Sequence, residues 1–86
     1  MTLEEYAEAI EATIVAHRCP RRNPRWYAHF EYCDTKDGSI LTGAFGDGMT
    51  AEAAVRDYAR AISGKRIVFH ASIPDMRREF TAPELL

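Results

Sequence analysis

Eighty-six residues can enclose one hydrophobic core and no more, so a single domain is expected. Apolar residues at 47% and charged residues at 28% fall in the ordinary globular range, and a formal charge of -2 excludes a strongly acidic or basic tail. No stretch approaches the roughly 20 apolar residues of a membrane span, and Glu4, Glu5, Glu8 and Glu11 stand where a signal peptide would carry lysine, which points to the cytoplasm.

Thr2 followed by Glu5 has capping-box spacing and predicts a helix start. Leu3, Tyr6, Ala7, Ile10, Ile14 and His17 then recur at three- and four-residue steps, with Glu4, Glu8 and Glu11 on the other side. The helix is expected to run to His17 or Arg18, where Pro20 and Pro24 impose an extended loop, 19–25.

From Trp26 the pattern changes to alternation. Trp26, Ala28, Phe30 and Tyr32 point one way, and Tyr27, His29, Glu31 and Cys33 the other, as in a strand with one apolar face. Asp34 to Gly38 supplies turn chemistry and Ser39 to Phe45 the returning strand of a hairpin. After the break at Gly46-Asp47-Gly48, Thr50 is the N-cap of a second helix whose inner stripe is Ala51, Ala54, Val55, Tyr58 and Ile62, closed by Gly64. Ile67 to Ile73 reads as a third strand, apolar on both sides. Met76 to Thr81 reads as a short edge strand, and Pro83 to Leu86 as a tail whose leucines either dock or fray.

The expected fold class is therefore α+β: an N-terminal helix over 1–18, a basic loop over 19–25, a ββαβ core over 26–73 and a tail over 74–86. A right-handed crossover through the second helix gives a three-stranded antiparallel sheet of order 2-1-3. The first helix covers either the second helix's flank or the opposite face, and open strand edges allow a homodimer by strand pairing.

Arg18, Arg21, Arg22 and Arg25, followed by Trp26 and Tyr27, place four cations and two aromatics within ten residues, a combination that grips phosphates or anchors a protein interface. The plain alternative is that these arginines offset the four glutamates of the first helix and that Trp26 is core. Gly43 to Thr50 is a glycine-rich turn into a helix N-terminus, but no lysine follows it, so a P-loop is excluded. His29, Glu31 and Cys33 could form base, orienter and nucleophile only if they converge, and nothing nearby supplies an oxyanion site. His17, Cys19, His29 and Cys33 lack the usual spacing of zinc ligands, Cys19 and Cys33 read as buried thiols, and His70 is assigned no role. No cofactor or metal is expected.

The residues Gly46-Asp-Gly-Met-Thr-Ala-Glu-Ala-Ala-Val55, with Asp57-Tyr58-Ala59, Ile62-Ser-Gly-Lys65, Val68, Arg77-Arg78-Glu79 and Pro83, resemble small uncharacterised phage and prophage proteins over about half the chain. The strand-strand-turn-helix-strand order is also similar to HicB-like antitoxin domains, although no separate DNA-binding segment follows it here. The phage-like resemblance implies a non-enzymatic accessory protein of the host cytoplasm that blocks a host protein or complex, an anti-CRISPR-type inhibitor of host defence being one form. Arg18, Arg21, Arg22, Arg25, Trp26 and Tyr27 are its expected contact residues, with nucleic acid the alternative partner.

Overall fold

The computed structural model describes residues 1–21 and 25–86. Among them run α1 (Leu3–Ile10), β1 (Ile14–Arg18), β2 (Trp26–Phe30), β3 (Cys33–Asp37), β4 (Ile40–Thr42), β5 (Gly46–Gly48), α2 (Ala51–Ile62), β6 (Arg66–Phe69) and β7 (Arg78–Thr81). The class is α+β. The single three-stranded sheet is corrected to two antiparallel sheets, ordered β1-β2-β5 and β4-β3-β6-β7. The order return strand, outgoing strand, post-helix strand recurs inside the second sheet as β4-β3-β6, but through residues 33–37 of the outgoing strand and not through 26–33.

The first helix is shorter than its periodicity implies. Thr2 and Glu5 form the capping box, the Glu5 N–H donating to Thr2 Oγ1 at 3.1 Å and the Thr2 N–H to Glu5 Oε1 at 2.8 Å. The helix then stops at Ile10, where Glu11 turns left-handed at φ 55°. The Glu11 N–H donates to the Glu8 carbonyl and the Ala12 N–H to the Ala7 carbonyl, the two bonds of a Schellman motif. Thr13, Ile14 and Val15 are three successive β-branched residues that crowd a helix and suit a strand. Ile14 and His17 fit a helical stripe by spacing, yet Ile14, Ala16 and Arg18 fit alternation equally well, and pairing with β2 decides between them.

The long strand from Trp26 to Cys33 is broken by a two-residue turn. Glu31 and Tyr32 interrupt it, Tyr32 taking φ 58°, and the interruption shifts the side-chain phase. Phe30 before the turn and Cys33 after it both pack on the core, whereas Tyr32 is 65% exposed. Tyr32 therefore leaves the apolar face assigned to it by alternation, and Cys33 leaves the polar one. Gly38 at φ 63° closes the β3–β4 hairpin.

Two glycines let α2 lie directly on the first sheet. Gly46 and Gly48 pair with Ala28 and Trp26 on the helix-facing side of β5. A Cβ on Gly46 would sit 2.1 Å from the Tyr58 nitrogen and 2.3 Å from the Ala54 oxygen, and one on Gly48 2.7 Å from Ala53 Cβ. The Gly-x-Gly turn thus serves close packing of helix against strand. Thr50 caps α2 by accepting from the Ala53 N–H at 3.1 Å, and Asp57 reaches back to accept from the Asp47 N–H at 2.9 Å.

The core gathers Leu3, Tyr6 and Ala7 of α1, Phe30 of β2, Tyr58, Ala59 and Ile62 of α2, and Ile67 and Phe69 of β6. Phe30 is its hub, with ring centroids 5.6 Å from Tyr58, 5.7 Å from Phe69 and 6.3 Å from Tyr6. The choice left open for the first helix resolves to the same core that α2 covers. Val68 is buried on the other face of β6, so that strand is covered on both sides. It ends at Phe69, not Pro74, because His70 takes φ 51°. The tail docks: β7 pairs with β6, Ala82 and Leu85 are buried, and the Leu86 N–H donates to the Met1 carbonyl at 3.0 Å.

Candidate functional site

The first sheet has a face that α2 does not cover. The β1–β2–β5 register places Val15, His17, Tyr27, His29 and Asp47 on it. His17 and Tyr27 are cross-strand partners with rings stacked at 4.9 Å, and His29 lies 5.7 Å from His17 and 6.3 Å from Tyr27 in near-parallel planes. Phe45, 61% exposed, meets Tyr27 edge-on at 6.2 Å.

Beside this cluster runs a groove of about 580 Å³. It is lined by Tyr27, His29, Cys33, Ala44 and Phe45, together with the charged pair Arg25 and Asp47. The Arg25 guanidinium bonds to the Asp47 carboxylate and contacts Met49 Sδ at 3.3 Å, so the formal charges that the described residues bring to the groove neutralise one another. A second groove, about 600 Å³, shares His29 and Cys33 with the first and continues past Tyr32, Asp34, Leu41, His70 and Ile73.

The expected contact residues are divided by this geometry. Arg25, Trp26 and Tyr27 come together in the lining of the first groove, Trp26 sharing the Ala28–Phe30 side of β2. Arg18 ends β1 opposite Trp26, and Arg21 is exposed in the following turn. Arg22 lies outside the described residues. Arg25 pairs with Asp47, not with a glutamate of α1.

His29, Glu31 and Cys33 do not share one strand face, because the turn at Glu31 and Tyr32 separates them. Burial pushes the Cys33 thiol up to about 11, only partly offset by its hydrogen bond with Tyr58. Tyr58 is itself raised, first by burial and then by Cys33. His29 Nδ1 lies 2.9 Å from the Phe30 carbonyl, which can only accept, so Nδ1 carries the proton. No cluster of three metal-ligating side chains occurs among the described residues.

Sequence reasoning missed His17, Tyr32, Phe45 and His70 as surface residues. The β-branched run before His17 was the available signal for the first. Tyr32 and His70 carry no glycine-like mark of the left-handed backbone they adopt. Each of the three histidines stacks on a tyrosine at these grooves.

Comparison with protein-family models, curated protein sequences and solved structures gave a uniform result. None matches this chain. No described helix is long and apolar enough to cross a membrane.

Proposed function

We propose that this chain is a non-enzymatic binding protein that occludes a protein surface through the groove beside Tyr27 and Phe45. The observation that carries the reading is where the exposed apolar side chains fall. Of the nine large apolar side chains exposed among the described residues, four, Tyr32, Leu41, Phe45 and Ile73, line two adjoining grooves. Tyr27, Trp26 and Arg25, which line the first groove, are the residue types that anchor protein interfaces, and Arg25, held by Asp47, is already positioned.

A protonated Cys33 offers no thiolate near neutral pH, which favours binding over nucleophilic chemistry. The likeness to phage and prophage proteins suggests a host protein or complex as the partner, with an anti-CRISPR-type inhibitor its most specific form. A HicB-like or other nucleic-acid role is less well supported. Tyr27 already has His17, His29 and Phe45 against its ring, so a base would have to displace one of them to stack there.

The test is capture from nuclease-treated bacterial lysate by the wild type and by a Tyr27→Ala, Phe45→Ala double variant. A protein retained by the wild type should bind the variant about 30-fold more weakly or worse, the loss of roughly 2 kcal/mol typical of an interface anchor. Capture abolished by nuclease, or unchanged in the variant, removes the reading.

A further inference from the structure

The second groove differs from the first in charge and in backbone. Among the described residues Asp34 is the only carboxylate that lines it, no lysine or arginine does, and no side chain forms an ion pair with the Asp34 carboxylate. The rings of Tyr32 and His70, which line the same groove, stack at 4.8 Å and 29°. Both residues hold left-handed backbone, φ 58° and 51°, and the His70 N–H donates to the Tyr32 carbonyl at 2.9 Å.

Left-handed backbone is costly for any L-residue with a Cβ and rare for a bulky one, so two such residues locked together are held there by the surrounding fold. Glycine would adopt both conformations without cost. What Tyr32 and His70 supply that glycine cannot is a pair of rings at the groove mouth. The Tyr32 ring has one described aromatic neighbour, His70, and is otherwise widely exposed.

An open aromatic face, an unpaired carboxylate and the apolar flank of Leu41 and Ile73 complement one chemical group: a planar cation on an aliphatic stem. We propose that this groove receives an arginine side chain of a protein partner, its guanidinium forked on Asp34 and lying against Tyr32, its methylenes along Leu41 and Ile73. The inference rests on the protein-binding reading, whose exposed side chains Tyr32, Leu41 and Ile73 line this groove, but its test uses arginine amide alone and so fails separately from the capture experiment.

N-acetyl-arginine amide is titrated into the labelled protein while backbone amide NMR shifts are followed, with N-acetyl-citrulline amide as the uncharged isostere. Saturable shifts are expected at Tyr32, Asp34, His70 and Ala71 with arginine amide and not with citrulline amide. They should exceed those at Asp37, an exposed carboxylate on the same strand that reports plain charge attraction. Asp34→Asn should weaken the response about tenfold or more. Tyr32→Gly should raise the melting temperature by relieving the backbone yet lose the saturable response, a combination that a purely structural tyrosine would not give. Equal shifts with citrulline amide, shifts no larger than at Asp37, or an undiminished response in Asp34→Asn or Tyr32→Gly would each overturn the proposal.

Discussion

Position 46 is where a single atom decides the fold. The helix N-cap, the α2 stripe and the β5 pairing all require the backbone of α2 to touch Gly46, and a methyl there would overlap backbone atoms of Ala54 and Tyr58 that cannot rotate away. Gly46→Ala should therefore destabilise by about 3 kcal/mol or more, at the top of the usual range for overpacking. Chemical denaturation should show the midpoint falling steeply, whereas Gly43→Ala, which meets nothing within 4 Å, should change it little. The same residue-level view explains the Cys33 thiol: packed against the core beside Tyr58, it is pushed up to about 11 by burial.

Elements are tied across their pairing by charges as well as by backbone bonds. On the outer side of the second sheet, Glu79 of β7 accepts from Lys36 of β3 at 3.2 Å and from Arg66 of β6 at 2.5 Å, with Arg77 3.6 Å away. The hydrogen bonds from Arg66 and then Lys36 hold its carboxyl down at about 2, against an ordinary 4.5. A carboxyl whose pKa falls on folding stabilises above its unfolded value, and that contribution disappears as pH falls through the folded one. Wild type should accordingly melt above Glu79→Gln at pH 6, and the gap should close as pH is lowered from about 4.5 to 2. Because these side chains are partly exposed, added salt should also narrow it.

The whole molecule is closed by its ends. Leu85 packs at 6% exposure into the core that holds Leu3 and Tyr6, and its N–H donates to Ser63 Oγ at 3.0 Å, fastening the tail to the end of α2. Leu85→Ala should cost about 2–4 kcal/mol in a single cooperative unfolding transition. Leu86→Ala, at 78% exposure, should change stability by less than about 0.5 kcal/mol. Thermal unfolding of the two variants side by side separates a docked tail from a frayed one.

What the sequence determined by itself was local. The capping box at Thr2 and Glu5, the Thr50 cap, the amphipathic stripe through Tyr58 and Ile62, and the turn at Gly38 each depend on neighbours within a few residues, and short-range chemistry is enough to specify them. Tertiary structure decided where two local readings were nearly equal or where no local signal exists. Ile14 to Arg18 satisfies helical and alternating periods alike, and only β2 beside it makes it a strand. Nothing near Tyr32 or His70 announces left-handed backbone, and it is held by a hydrogen bond and a ring stack between residues far apart in the chain. One phase shift at that turn moved Tyr32 out of the core and Cys33 into it. The candidate site was legible only in part for the same reason: Arg25 and Tyr27 lie two positions apart in sequence, whereas Phe45, Asp34 and His70 reach the grooves through pairing between distant strands, which alternation along one strand does not encode.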